Sequence, residues 1–296
     1  MGGTPDLERG TIAERIRVLR NDLAPAELSV ANVLVDTYPM AGLVPVIQLA
    51  EAAGVSAPTV LRFVNKLGFK GYSAFHKALR AEVQARLFSP VDAYPGQDRM
   101  QTSRARAQTA FLETIRSTFA HLEQREIDAS VAALADADRS VLVLGGRFSY
   151  VLATQLGYYL SILRGGVRIV APSSGPRMAS MVDVGPKTVA VVFDYRRYQQ
   201  ATIDWGRDAA SRGAFLIVVT DQHLSPLAPL ANSLLTSNAS ALHPFDSMTG
   251  GFALTELLIS EVARSLGKPA RQRLSLFEKL QIQEEQKQRK VTPRRT

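Results

Sequence analysis

The sequence predicts an all-α N-terminal domain followed by an α/β C-terminal domain. Apolar residues recur at three- and four-residue spacing at the start of a helical stretch, 11–88, beginning with Ile12, Ile16, Leu19 and Leu23. From residue 140 onward, short apolar runs alternate with helical stretches, as βαβ units around a parallel sheet do. Between the two, residues 89–108 hold Ser-Pro, Tyr-Pro-Gly and a run of Gln, Ser, Arg and Asp, which read as an exposed linker. The 296 residues suit two domains at about 100–200 residues each. The expected division is 1–88, a linker and connecting helix over 89–124, the α/β domain over 125–267, and a basic polar tail over 268–296.

In the first domain, Pro25 sits where an opening helical turn tolerates it. The helix it starts runs through Leu28, Ala31 and Val35 and ends near Pro39 and Gly42. Ile47, Leu49, Ala50 and Ala53 form a short helix with small and apolar residues inward. Gly54 supplies a turn at positive φ, Ser56 is an N-cap residue, and Pro58 lies in the first turn of the next helix. That helix places Val60, Phe63, Val64 and Leu67 inward and Thr59, Arg62 and Lys66 on the opposite side, and Gly68 ends it. The pattern is a helix-turn-helix. Residues 54–80 contain Arg62, Lys66, Lys70, Lys77 and Arg80 and no Asp or Glu, the electrostatic footprint of a nucleic-acid surface. The plainer alternative is a small helical domain with a solvated basic face.

A single helix is expected at about 109–137, with Ile115, Phe119, Leu122 and Ile127 on one face. The strand candidates are Val141–Leu144, Val167–Val170, Thr188–Phe193, Phe215–Val219 and, more weakly, Ser233–Thr236. Gly145-Gly146 after the first run opens a helix, a usual place for an anion, although the spacing is not a dinucleotide fingerprint and no Walker loop is present. The tail bears Lys279, Lys287, Arg289, Lys290, Arg294 and Arg295 against Glu284 and Glu285, and is read as part helix with a disordered end. A role in nonspecific DNA contact and simple solvation are both open for it.

The totals narrow the function classes. Hydrophobic residues at 46% and charged residues at 21% are ordinary for a globular protein, and the formal charge of +8 permits a polyanionic partner. No cysteine is present, which excludes disulfides, thiolate zinc, iron–sulfur clusters and cysteine nucleophiles. Asp6, Glu8, Glu14 and Asp22 interrupt any secretory pattern, and no apolar run approaches the roughly 20 residues of a bilayer span. A soluble, cytoplasmic protein without a membrane partner is expected. His76, His121, His223 and His243 have no metal-ligand spacing, so neither metal nor cofactor is expected. His76 is placed at a phosphate, and His121 on an ordinary helix face.

Leu49-Ala50, Gly54-Val55-Ser56-Ala57-Pro58-Thr59-Val60, Arg62-Phe63 and Lys66-Leu67-Gly68-Phe69-Lys70-Gly71-Tyr72 closely resemble the helix-turn-helix of RpiR/MurR-type bacterial regulators. That resemblance implies that Ser56, Ala57, Pro58, Thr59 and Arg62 lie at the DNA, and that Lys66 and Lys70 hold phosphates. Ile217-Val218-Val219-Thr220-Asp221, Ser225-Pro226-Leu227-Ala228, Ala231-Asn232, Pro244-Phe245-Asp246-Ser247 and the helix over 251–264 resemble the sugar isomerase (SIS) domain, the usual partner of that motif. The resemblance implies a five-stranded parallel sheet flanked by helices, dimerisation, and a phosphosugar effector at the carboxyl ends of the strands.

The effector loops depart from that family. Its first loop reads G-x-G-x-S, and here only Gly145 and Ser149 match, with Arg147 at the second glycine. Its S-x-S-G-x-T loop is replaced by Asp194-Tyr195-Arg196-Arg197-Tyr198-Gln199. The candidate effector residues are therefore Gly145, Arg147, Ser149, Asp194, Arg196, Arg197, Thr220 and Ser225, with Arg147, Arg196 and Arg197 as a cationic clamp. The alternative is an Asp194–arginine network with a purely structural role. Tyr195 and Trp205 are candidates for stacking, with Trp205 read first as a packing residue.

The resulting expectation is a regulator, not an enzyme. It binds double-stranded operator DNA as a homodimer or homotetramer and senses a small anionic phosphosugar or sugar acid, with no catalytic residue. Two alternatives stand beside it. One is a phosphosugar isomerase with Glu256 as base, and the other is a DNA-binding dimer without an effector.

Overall fold

The computed structural model describes residues 12–36, 40–86, 104–240, 242 and 245–291. Five helices make the N-terminal unit: α1 (Ile12–Leu19), α2 (Pro25–Asp36), α3 (Val46–Ala52), α4 (Ala57–Lys66) and α5 (Tyr72–Arg86). Their buried faces form one cluster through Ile12, Ile16, Leu34, Leu49, Phe63, Phe75 and Leu79. The turn between α3 and α4 is closed by Val55 N–H donating to Ala50 C=O at 2.9 Å, with Gly54 at φ +64°. A side chain other than glycine is strained in that conformation. Ile47 departs from expectation. It lies on the outer side of α3 and is 62% exposed, while Leu49 and Ala50 carry the buried face.

Helix α2 begins with a backward cap. The Glu27 carboxylate accepts the Ala24 N–H at 2.9 Å, the N3-to-N-cap half of a capping box. Burial pushes the Glu27 carboxyl up, but the Ala24 N–H and the Lys66 ammonium outweigh it and hold the group below the usual carboxylate range. Because the folded value is lowered, this contribution is present above the unfolded pKa and is lost as pH falls through the folded one. Glu27→Ala is expected to destabilise the helical unit by about 1 kcal/mol at neutral pH. Chemical denaturation at neutral and at acid pH checks this, and a penalty unchanged at acid pH would contradict the carboxylate's role.

The expected single helix over 109–137 is two: α6 (Arg104–Ala120) and α7 (Gln124–Ala135). Helix α6 begins inside the segment read as linker, and Phe119 is exposed because the buried side of α6 runs through Thr114 and Thr118. The linker's first part, 89–103, lies outside the described residues.

The C-terminal unit follows as β1 (Ser140–Gly145), α8 (Tyr150–Leu163), β2 (Val167–Val170), α9 (Ser174–Met181), β3 (Thr188–Phe193), α10 (Gln200–Ser211), β4 (Phe215–Asp221), β5 (Ser233–Ser237), α11 (Thr249–Leu266) and α12 (Lys268–Val291). The five strands form one sheet in the order β2-β1-β3-β4-β5, with every pair parallel. Alternate residues feed two cores. Val141, Val143, Val191 and Val219 pack with α7, α8 and α11, whereas Leu142, Leu144, Val192 and Val218 pack with the α10 side. Burial on both faces explains why these strands read as continuous apolar runs. The tail is a 24-residue helix, α12, packed on α8, and the end expected to be disordered lies outside the described residues.

Candidate functional site

Two surfaces carry the sequence-predicted site residues. The first is α4. Its moderate length and 3.6-residue period place Val60, Phe63 and Val64 fully inside and leave Pro58, Leu61, Arg62, Asn65 and Lys66 exposed along one stripe. Ser56 occupies the N-cap position, but its hydroxyl meets the Thr59 hydroxyl at 3.0 Å instead of a backbone N–H. Thr59 is only 7% exposed and lies on the inner margin of the helix, correcting the expectation that it faces outward. Its hydroxyl accepts from the Arg62 guanidinium at 3.3 Å, so Thr59 orients Arg62.

Lys66 is also corrected. Its ammonium donates to Glu27 at 2.9 Å and to Asp22 C=O at 2.6 Å, which ties α4 to the start of α2. Ala57 is half-buried beside the turn, and Lys70 is exposed just beyond the helix. His76 turns inward and does not sit on the basic surface. Its Nε2 lies 2.8 Å from Leu43 C=O and its ring stacks on Tyr72. The sequence reading missed Leu61 and Asn65, which lie on the exposed stripe beside Arg62, one and three residues from it. Asn is suited to adenine edges and an apolar side chain to a thymine methyl. It also missed Arg15, whose guanidinium reaches from α1 to cap Leu67 C=O at 2.9 Å and lies over the Phe69 ring.

The second surface follows from strand order. The chain leaves β1 towards β2 on one side and returns to β3 on the other, so the crossovers diverge at the carboxyl ends of β1 and β3. Such a switch point leaves a crevice in an open parallel sheet. Here it holds a cavity of about 280 Å³. The loop after β1 contributes Gly146, Arg147, Phe148 and Ser149, and the loop after β3 contributes Asp194 to Arg197 with Gln199. Phe245, Asp246 and Met248 come from the segment before α11.

Five of the eight expected effector residues line this cavity: Arg147, Ser149, Asp194, Arg196 and Arg197. Gly145, Thr220 and Ser225 do not. Gly145 ends β1 against the α8 backbone, where a Cβ would stand 2.7 Å from Tyr150 N. Thr220 accepts the Ser225 N–H at 3.0 Å, and the Ser225 hydroxyl donates to Asp194 at 2.5 Å, so both act behind the cavity wall. Ser149 lines the space, yet its hydroxyl donates to Phe193 C=O at 2.6 Å and accepts the Gly146 N–H at 3.0 Å. It staples β1 to β3.

The arginines divide. Arg196 forms a shielded ion pair with Asp246, not with Asp194. Arg147 and Arg197 are exposed and have no acidic partner among the described residues. Arg197 also holds φ at +70°, a conformation that non-glycine residues adopt at a cost. Asp221 secures the loop beneath, accepting the Arg196 N–H at 2.5 Å and the Tyr198 hydroxyl at 3.0 Å. Burial pushes the Tyr195 hydroxyl up, and it pairs with Ser237 at 2.7 Å, which keeps its tip away from the cavity. Trp205 packs α10 and donates its indole N–H to Ser180 at 2.9 Å.

Gln199, Phe148, Phe245, Asp246 and Met248 are lining residues that the sequence reading did not select. For Asp246 no local signal exists, because its partner is 50 residues away. His243 and Pro244 lie outside the described residues. Glu256 is exposed on α11 and outside the cavity. Among the described residues no group of three or more His, Cys, Asp or Glu side chains is placed to hold a metal ion. No helix among them is long and apolar enough to cross a membrane.

Comparison with known proteins gives a match in each of the two units. Residues 10–86 match the family described as the helix-turn-helix domain, rpiR family, and residues 133–261 match the SIS domain. An uncharacterized HTH-type transcriptional regulator of Providencia stuartii is 28% identical over 157 residues, covering 51% of this chain and 53% of that protein. The match thus spans about half the length of that relative. The sugar isomerase domain of an RpiR transcription factor from Sphaerobacter thermophilus superposes with a TM-score of 0.56 at 25% identity, over 60% of this chain and 99% of the other. The Vibrio vulnificus NanR protein, solved with ManNAc-6P, has a TM-score of 0.52 at 16% identity over 92% of this chain and 98% of its own, a likeness of fold. The chain therefore carries an rpiR-family helix-turn-helix domain over residues 10–86 and a SIS domain over residues 133–261.

Proposed function

We propose that this protein is a DNA-binding transcriptional regulator whose SIS domain senses a small anion. The observation that carries the reading is the exposed stripe of α4 bearing Arg62 and Asn65, within a segment that matches the rpiR helix-turn-helix. The chain acts as a homodimer or homotetramer, with two α4 helices meeting half-sites about one helical turn, or a multiple of it, apart. The operator is then palindromic or repeated.

The effector binds at the switch-point cavity. The NanR complex with ManNAc-6P supports a phosphosugar, and the cationic lining supports a sugar acid equally. Residues 221–230 run from the cavity's rear wall to a short turn, Ala228–Leu230, that touches α1. They offer a physical route from the cavity to the helical unit. A coupling of about 1–3 kcal/mol along it changes operator affinity roughly 5- to 150-fold.

The isomerase alternative is weaker on chemistry. Both cavity carboxylates are committed, Asp194 to the Ser225 hydroxyl and Asp246 to Arg196, and a general base needs to reach the substrate proton. Fluorescence anisotropy with the DNA upstream of the gene, over a range of salt and with excess competitor, tests the reading. Specific binding that weakens steeply with salt is expected. Weak, sequence-indifferent binding together with aldose–ketose conversion of sugar phosphates would replace it.

A further inference from the structure

We propose that the cavity's ligand is a small monoanionic carboxylate with a flat aromatic body, and not a phosphorylated sugar. This rests on the reading above that the SIS domain senses a small anion, and departs from both the phosphosugar and the sugar acid.

Charge comes first. The lining holds three guanidiniums, Arg147, Arg196 and Arg197, against two carboxylates, Asp194 and Asp246. Among the described residues one positive charge is left over. A carboxylate neutralises it. A phosphate monoester brings about −1.5 to −2 at neutral pH and leaves a negative excess in a partly enclosed cleft.

Hydrogen-bonding capacity points the same way. The Ser149 hydroxyl is held by Phe193 C=O and Gly146 N–H. The Gln199 carbonyl accepts the Arg147 N–H at 2.7 Å. Asp194 and Asp246 are bonded to Ser225 and Arg196. Among the described residues, the lining side-chain groups without a partner are the guanidiniums of Arg147 and Arg197 and the Gln199 amide nitrogen, all of them donors. Donors suit a carboxylate.

The apolar lining supplies the other half of the ligand. Phe148 and Phe245, at 51% and 53% exposure, come from different loops to the same cavity, with Met248 beside them. Phenyl faces and guanidinium planes both stack on an aromatic ring. At about 280 Å³ the space lies near the lower end of small-molecule sites and suits one ring with a short acidic arm.

The test is calorimetry and thermal shift on the full-length protein. The probes are benzoate, phenylacetate and phenylpyruvate, compared with phenylacetamide, glucuronate and glucose 6-phosphate. At least one aryl carboxylate is expected to bind and raise the melting temperature, with no response to phenylacetamide. The paired substitution Arg147→Ala with Arg197→Ala is expected to weaken that binding about tenfold or more, and Phe148→Ala with Phe245→Ala to weaken it without unfolding the protein. Tighter binding of glucose 6-phosphate or glucuronate than of every aryl acid overturns the assignment and leaves the sensor reading intact. Equal binding of phenylacetamide, or no binding of any aryl acid, also overturns it. DNA anisotropy on the same samples reports separately on the regulator reading, so the two failures are distinguishable.

Discussion

Arg62→Ala is expected to lower affinity for specific operator DNA roughly ten- to a hundredfold while nonspecific binding changes far less. The size follows from what one base-reading side chain contributes, about 1–3 kcal/mol. The selectivity follows from position. Arg62 is exposed near the middle of the α4 stripe and is held at its base by the Thr59 hydroxyl. Its removal leaves no buried group unsatisfied, so the melting temperature stays near that of the parent protein. Anisotropy against operator and scrambled duplexes, with a melt of each variant, measures both quantities. Lys66→Ala provides the contrast, because its ammonium is engaged by Glu27 and Asp22 C=O. That variant loses stability more than salt dependence. Equal operator affinity for Arg62→Ala and the parent would remove Arg62 from the interface.

Arg164→Ala is expected to destabilise the α/β unit by about 3 kcal/mol, since it leaves several shielded carbonyls without a charged donor. Arg164 ends α8 at 5% exposure, and its guanidinium gathers four carbonyls. It donates to Leu134 at 2.5 Å, to Asp136 at 2.8 Å, to Gly165 at 3.0 Å and to Arg139. Leu134 belongs to the last turn of α7, whose carbonyls have no partner within the helix. One side chain thus caps α7, fixes the turn into β1 and joins both to α8. Burial pushes the guanidinium below its ordinary value, opposed by the Asp136 carboxylate. Alanine leaves these carbonyls without the donor, and lysine lacks the planar fork that reaches them together. A fall of about 10 °C in melting temperature corresponds to this loss. Arg164→Lys is expected to recover only part of it. An unchanged melt for Arg164→Ala would show that water replaces the guanidinium at no net loss.

The helix-turn-helix was legible because its determinants are local. Gly54 at positive φ, Pro58 in a first turn and a 3.6-residue apolar stripe each act within a few residues, and a linear pattern records them. The same holds for the parallel strands, whose two-sided burial writes uninterrupted runs such as 188–193. Misreadings fell where a specific side-chain partner, near or distant in sequence, took up the polar group. Thr59 and Lys66 looked like outward polar residues, and their neighbours Arg62 and Glu27 turned them into positioning groups. Ile47 looked like core and is exposed, since a short helix touching few neighbours need not bury every apolar residue.

The candidate cavity shows the same division. The loops after β1 and β3 were recognisable as its walls, and Arg147, Arg196 and Arg197 were visible as charges. Their unequal states were not visible. Asp246, 50 residues from Arg196, neutralises that arginine, while Arg147 and Arg197 stay without an acid among the described residues. Ser149, Thr220 and Ser225 carry hydroxyls of the right type, yet each is used to hold the wall in place. Residue type and local spacing set the elements, the turn and the charge inventory of this protein. Only tertiary packing decided which of those polar groups stay free for a ligand, because a hydrogen bond or ion pair is settled by whichever partner the fold brings within about 3 Å.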